Sequence, residues 1–384
     1  MPKPNTHIFF VLYRNELEKL WVRRMWALII ALLVIVVGGT FIAYRSYQAS
    51  QGQTQNAIAQ IKIQISQEHS QLAHMHKGKS RQAVEQQLQS NQSILRQMEQ
   101  NPPPNTSTLN VRQQLSSLES SLKSIPSSQQ GSTLQQIAIA RYQLAHGITV
   151  YHPSDHAGYR IVGQIFGGTT MLLLALVALG LTGDRMSSEI EGGTLGSLLL
   201  HAPWRRSVYL AKLGAAVTVT WAFMAASAVG FFLMATALMG TGNPMNPHAV
   251  GLRLKMVDGE ISVPVQTFHL LPQWSYDLAT FGLALLVMGT FVAIFLALSM
   301  VTRSTVFSLI VGAVLVISNI LGHTLGPMAI ANPAMFLPLM QVWTGQEPFD
   351  YQMLVSLSTA MIVLLLWTAA ALIAGLWSAQ RLDV

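Results

Sequence analysis

Few residues in this chain could carry covalent chemistry. There is no cysteine among its 384 residues, which removes thiolate nucleophiles, thiolate metal sites and disulfides together. The string His76-Lys77-Gly78-Lys79-Ser80 is the nearest approach to a phosphate-cradling loop. Such a loop needs a glycine five residues ahead of its Gly-Lys-Ser, and that position is Ala73. His69, His74 and His76 lie close in sequence, but zinc takes three or four convergent ligands. Two residues apart on a helix, His74 and His76 diverge by about 200°. His152 and His156, with Asp155 nearby, have i, i+4 spacing, and Pro153 breaks the helix that would align them. Both histidine groups read as solvated, so the expectation is no metal, no cofactor and no catalytic residue.

The most informative stretch is residues 183–212, Gly-Asp-Arg-Met-Ser-Ser-Glu-Ile-Glu-Gly-Gly-Thr-Leu-Gly-Ser-Leu-Leu-Leu-His-Ala-Pro-Trp-Arg-Arg-Ser-Val-Tyr-Leu-Ala-Lys. It is polar, then amphipathic, then basic. Gly192-Gly193 interrupts a helix. Thr194 is suited to cap a short helix through Leu200, which Pro203 stops. Arg205, Arg206 and Lys212 are placed to anchor the next apolar segment at the headgroups. The work such a stretch can do is mechanical. A short helix held parallel to a membrane between two spans is a lever, and a partner gripping Leu195, Leu198 and Leu199 would push both spans at once. On periodicity alone, a plain connecting loop fits as well.

A membrane bundle must hold this lever. The chain is 51% hydrophobic and 10% charged, against roughly 25% charged in a soluble domain. Apolar residues fall in blocks of about twenty, the length that crosses a ~30 Å hydrocarbon core. Six blocks are legible: Met25 to Ala43, Ile161 to Thr182, Leu213 to Met239, Leu278 to Val301, Thr305 to Leu325 and Leu354 to Trp377. The expected fold class is an all-α integral membrane protein with six transmembrane helices. The first block is long and lacks a small-residue cleavage site, unlike a signal peptide.

Lys3, Arg14, Lys19, Arg23 and Arg24 precede the first block, and Arg185, Arg205, Arg206 and Lys212 separate the second and third. Arg303 follows the fourth and Arg381 the sixth, whereas the other short loops hold only Arg253 and Lys255. This bias places both termini in the cytoplasm. Residues 44–160 then form an extracytoplasmic region. Ile58, Ile61, Ile65, Leu72, Val84, Leu88, Leu95 and Met98 recur mostly at helical steps. Asn101-Pro102-Pro103-Pro104 ends that helix, and two more follow over Leu109 to Ile125 and Leu134 to Gly147. A helical hairpin or small bundle and a weakly packed stalk both fit so thin an apolar stripe. Residues 1–24 form an amphipathic helix, with Phe9, Leu12, Tyr13, Leu17, Leu20 and Trp21 opposite Arg14, Glu16, Glu18, Lys19 and Arg23. Such a helix lies in the interface, as an elbow before the first span, as a frame for a cytoplasmic partner, or both.

The order Glu189, Gly192-Gly193-Thr194-Leu195, Leu198-Leu199, Pro203, Arg205-Arg206 and Lys212 resembles the signature of ABC-2 permeases. In that family an acidic residue precedes Gly-Thr, leucines and a Pro-x-(Ser)-Arg stretch follow, and Gly-Lys opens the next helix. Here Ala211-Lys212 stands in place of Gly-Lys, and Trp204-Arg205 where a small residue is common. The Asn332-Pro333 and Pro338 loop and the Arg381-Leu382-Asp383 tail also resemble the family. The resemblance covers the chain except residues 44–160, and a large loop there resembles the subset that carries an extracytoplasmic domain between the first two spans. It implies an ATPase-coupling surface at Glu189, Glu191, Gly193, Thr194, Leu195, Leu198, Leu199, Pro203, Arg205 and Arg206.

The functional expectation is the permease subunit of an ABC exporter in the bacterial cytoplasmic membrane. ATP and Mg would be bound by a separate ATP-binding subunit, the chain itself being no enzyme. A second permease copy, identical or related, would complete the complex in the lipid bilayer. The alternative is a non-transporting sensor or scaffold that displays the extracytoplasmic helices. Nucleic acid is not expected as a partner. The +7 charge follows from cytoplasmic Lys and Arg, with no basic patch interleaved with aromatics. Ionisable residues are nearly absent from the six blocks, His323 being the main exception. That argues against ion-coupled transport and favours an apolar or amphipathic cargo. Gly163 with Gly167, and Ala222, Ala226 and Gly230, have the spacing that lets helices approach closely, within the subunit or against a second copy.

Overall fold

In a computed structural model of the chain, helices carry most of the fold. The structure describes residues 6–74, 84–85, 88–93, 95–96, 106–122, 125, 130–148, 158–168, 170–195, 205–251, 255–257, 260–262, 268–320, 326–344 and 355–381. Helix α1, Thr6–His74, runs 69 residues without a break, roughly 100 Å at 1.5 Å per residue. No proline falls between Pro4 and Pro102, so nothing in the sequence forces an elbow ahead of the first apolar block. The amphipathic segment, the apolar block and the start of the following polar region are one rod.

Among the described residues, five helices are long and apolar enough to cross a membrane: Arg24–Ala49 within α1, Thr170–Glu191, Arg205–Met239, Gln273–Thr302 and Leu357–Gln380. The expected second span is divided into α4, Gly158–Gly167, and α5, Thr170–Thr182. Between them Gly168 lies so close to the Gln164 carbonyl that a Cβ there would sit 2.7 Å from the oxygen. The block expected over Thr305 to Leu325 does not form one spanning helix. Helix α9, Thr305–Ile317, stops after 13 residues. Polar side chains at its end turn the chain back: Asn332 Nδ2 donates to Ser318 Oγ at 2.7 Å, and Asn319 Nδ2 donates to the Ala334 carbonyl at 2.8 Å. Two 3-10 turns, Gly326–Ala331 and Pro333–Phe336, and the short helix α10, Leu339–Thr344, follow. They bury Phe336, Leu337 and Leu339 in the bundle core. His323 lies outside the described residues.

The all-α expectation is corrected between α7, Arg205–Met239, and α8, Gln273–Thr302. There β1, Pro247–Val250, pairs antiparallel with β4, His269–Pro272, and β2, Lys255–Val257, with β3, Glu260–Ser262. Asp258-Gly259 between β2 and β3 is a strong hairpin signal, and polar and apolar residues alternate across Glu260-Ile261-Ser262.

Helix α8 is the axis of the bundle. Val287, Met288, Phe291 and Phe295 on it are fully buried, and it packs on α4, α5, α7, α9 and α11, Leu357–Gln380. Helix α1 lies along α7, where Gly39 meets Phe231 and Gly230 meets Val36. Gly163 and Gly167 likewise face Tyr276 and Met340, so these glycines serve packing within the chain, while Ala222 and Ala226 are exposed. Large apolar side chains stay exposed on α1 (Ile30, Leu33, Val34, Ile42) and α11 (Ile362, Leu365, Leu366, Ile373). Faces of this extent are what lipid covers. Beyond the bundle, α2, Thr106–Leu122, packs beside α3, Gln130–Ala145. Val111, Ile137 and Ala140 are buried there, Arg141 pairs with Glu119 at 2.8 Å, and α3 also touches β1.

One contact in the bundle gives a direct test. The buried ring of Tyr209 on α7 occupies the space where a Cβ on Gly375 of α11 would stand. Gly375→Ala is expected to destabilise by about 1–3 kcal/mol, the usual cost of overpacking. Adding Tyr209→Ala should recover part of that loss in a detergent melting assay, because it vacates the same space.

Candidate coupling site

The turn after α5 is built by local hydrogen bonds and then pinned from outside. The Gly183 N–H donates to the Leu179 carbonyl at 2.7 Å, and Ser308 Oγ donates to the Gly183 carbonyl at 2.5 Å. Helix α6, Ser187–Glu191, has only five residues and could not hold itself. Ser299 of α8 holds it: its buried Oγ accepts from the Met186 N–H at 3.0 Å and the Ser187 N–H at 2.9 Å. Glu191 extends to the start of α9, accepting from the Thr305 N–H at 2.9 Å and from Thr305 Oγ1 at 2.8 Å. A carboxylate at a helix N-terminus satisfies an orphan donor and complements the dipole.

Ion pairs tie α1 to this turn and to α7. Glu16 of α1 is 3% exposed; its Oε2 lies 3.0 Å from both Lys212 Nζ and Arg185 Nη1, and its Oε1 2.9 Å from Lys19 Nζ. Lys212 Nζ also reaches Glu189 Oε1 at 2.7 Å. Arg24 joins the Asp184 carboxylate at 2.5 Å and the Gly180 carbonyl. Burial by itself would raise the Glu16 carboxyl, but the Lys212 and Lys19 ammonium groups prevail and hold it below the usual carboxylate range. Lys212 is therefore not a headgroup anchor as the sequence suggested. Its side chain is fully buried, because α1 and α6 close over it and each supplies a carboxylate, Glu16 and Glu189.

The other expected coupling residues fall as follows. Gly192 and Gly193 end α6, with N–H donation to the Ser188 and Ile190 carbonyls, and Gly193 has φ +68°, a conformation that disfavours a Cβ. Thr194 is exposed, its Oγ1 3.4 Å from the Glu189 carbonyl. Leu195 is buried with Met186, Val208, Tyr209, Leu296 and Met300, so its side chain packs on its own bundle. Leu198, Leu199 and Pro203 lie outside the described residues. Arg205 donates to the Gln380 carbonyl at 3.3 Å and Arg206 lies against the Gln380 side chain, tying the start of α7 to the end of α11. Glu189 and Glu191 are thus both engaged inside the chain, and their geometry makes them braces of the turn.

Sequence reasoning missed the buried ionisable groups. Glu16, Arg185 and Lys212 are each at least nine-tenths buried, and so is Asp277, one residue ahead of the block that was expected to begin at Leu278. At that opposite end of the bundle Gln273 Nε2 donates to Asp277 Oδ1 at 2.8 Å, and Gln273 Oε1 meets His248 Nε2 at 2.6 Å. His248 stacks on Tyr276, and its burial pulls its pKa below the ordinary value. The available signal was Gln273 and Asp277 at i, i+4, the spacing that puts two side chains on one helix face. Among the described residues no three His, Cys, Asp or Glu side chains converge on a point that could hold a metal ion.

A family model described as ABC-2 family transporter protein matches residues 10–384. No curated protein and no solved structure matches the chain. The family match takes in α1 from residue 10, the braced turn, the bundle and the α2–α3 pair alike.

Proposed function

The chain belongs to the ABC-2 transporter family, a family of multi-pass membrane permeases, and from that premise we propose that it is the membrane half of an ABC exporter whose ATPase is a separate subunit. The observation that carries this reading is the braced turn of residues 183–195. It is fixed to α1 through Arg24 and Glu16, to α7 through Lys212, to α8 through Ser299 and to α9 through Glu191. A push on one cytoplasmic element is thereby shared among three helices long enough to span the membrane, α1, α7 and α8, and the shorter α9, which a simple anchor has no use for. Residues 196–204 follow directly from this base, and we assign Leu198 and Leu199 to the ATPase contact, with Thr194 at its exposed edge. Glu189 and Glu191 act indirectly, by holding the base in place.

Two permease copies with two ATPase subunits complete the assembly, since one bundle supplies one side of a pathway and closed homo-oligomers are usually two-fold. Co-purification from the native membrane should recover an ATP-binding subunit at one per permease, with a complex mass that fits two of each. A mass that fits one permease per ATPase pair would refute this arrangement. Orientation has its own test in this cysteine-free chain. Ser90 and Thr194 are both exposed. On intact bacteria an impermeant thiol reagent should label Ser90→Cys and should reach Thr194→Cys only after permeabilisation. The reverse pattern would invert the topology and place the braced turn out of reach of cytoplasmic ATP.

A further inference from the structure

We propose that the pocket between α1 and α6 binds the phosphate-bearing headgroup of an anionic lipid, with an acyl chain lying along the exposed face of α1. The pocket has a volume of about 510 Å³ and is lined by Glu18, Lys19, Val22, Arg24, Arg185, Ser188 and Glu189. The Glu18 carboxylate is taken up by Arg14 at 2.9 Å. Among the described side chains, the ion network behind the pocket sets four cations, Lys19, Arg24, Arg185 and Lys212, against three carboxylates, Glu16, Asp184 and Glu189. It is one anion short. Lys19 is half exposed and faces both Glu16 and, at 3.8 Å, Glu189. The Arg185 side chain is nine-tenths buried, yet its Nε has no hydrogen-bond partner. A buried guanidinium donor left unpaired is costly, and a phosphate, which accepts from several donors at once, suits such a site.

The neighbouring surface identifies the source of that phosphate. The apolar part of α1 that crosses the membrane opens at Arg24, which puts Lys19 and Arg24 at headgroup depth. Val22 lines the pocket and is 77% exposed. Trp26, Ile30 and Leu33 continue from it at steps of four, four and three residues, and all are exposed. These steps keep one helix face, so an apolar stripe leads from the pocket mouth into the hydrocarbon. A soluble phosphate would use the cations and leave the stripe bare. A lipid uses both, as basic pockets between membrane helices do. The site holds α1 to α6 from the membrane side, and its occupancy does not depend on which subunit drives the permease.

The test uses the purified full chain in detergent, titrated with phosphatidylglycerol or phosphatidylcholine and read by native mass spectrometry. The wild type should bind phosphatidylglycerol about fivefold more tightly or better, the worth of one well-placed basic residue. Lys19→Gln should bring the two lipids level. Val22→Asp, a change at an exposed position that puts a negative charge on the chain's path, should do the same, while Ile362→Asp on the exposed face of α11 should leave the preference intact. Millimolar glycerol phosphate should not compete. Equal affinities in the wild type, or a preference that survives both Lys19→Gln and Val22→Asp, would overturn the proposal. Competition by glycerol phosphate would assign the pocket to a soluble anion. Lys19→Gln that spares the lipid preference but releases a co-purifying ATPase would assign it to a protein partner, and either result rejects the lipid site.

Discussion

Glu16→Gln is expected to lower the melting temperature of the detergent-solubilised protein by roughly 5–10 °C, from a loss of about 3–5 kcal/mol. Glutamine keeps the shape and can still accept a hydrogen bond, but it removes the charge that compensates Lys212 and Arg185. Both are buried, with Glu16 Oε2 3.0 Å from each. Glu189 alone would be left facing Lys212, and Arg185 would lose its closest carboxylate. The penalty comes from stranded buried charge, which is why it exceeds the ~1 kcal/mol or less of an exposed pair such as Arg14–Glu18. Glu18→Gln, two residues away, should therefore change the melting temperature little, and equal effects of the two substitutions would contradict this account.

The same contact predicts a pH dependence with a definite sign. The folded-state pKa of Glu16 lies below the ordinary value, so the folded protein binds that proton less readily than the unfolded chain does. Its contribution to stability is present above the usual glutamate range, near pH 4, and is lost as pH falls through the lowered folded value. Wild type and Glu16→Gln should differ most at neutral pH and converge on acidification. A gap that widens as pH falls would mean that the pairing has the opposite sign.

Leu198→Asp should abolish transport while leaving membrane insertion and the melting temperature unchanged. The base of the turn is fixed by Ser299, Glu191 and Lys212, and Leu195 supplies its buried apolar contact, so the base is held by residues other than Leu198. An aspartate in an apolar groove of the ATPase would bring an unpaired charge into an interface, where even truncation of a central anchor costs ~2 kcal/mol or more. The ATPase should no longer co-purify, or should hydrolyse ATP without moving substrate. Leu195→Asp makes the internal comparison, since it should damage folding itself. If Leu198→Asp left both association and transport intact, the loop would be a connector, and the α2–α3 pair would become the better place to look for function.

The sequence by itself determined the membrane character, through apolar blocks whose length matches the hydrocarbon core and few charges within them. It also located the turn at Gly192-Gly193, because glycines interrupt a helix locally, and Gly193 takes the positive φ that suits it. Helix α1 was legible in composition but not in continuity. Tertiary structure decided what no local pattern encodes. Glu16 and Lys212 look like an interfacial charge and a headgroup anchor until α1 and α7 come together, and burial then makes each the other's necessary partner. The apolar stretch from Thr305 to Leu325 suffices for a span by hydropathy, yet α9 ends at Ile317 because Ser318 and Asn319 find partners in a later segment. Strands β1 and β4 form only by pairing with each other across the intervening chain, from Val250 with His269 to Pro247 with Pro272. In each case the outcome turns on contacts between residues distant in sequence, whose energies exceed the local preferences that a linear reading can weigh.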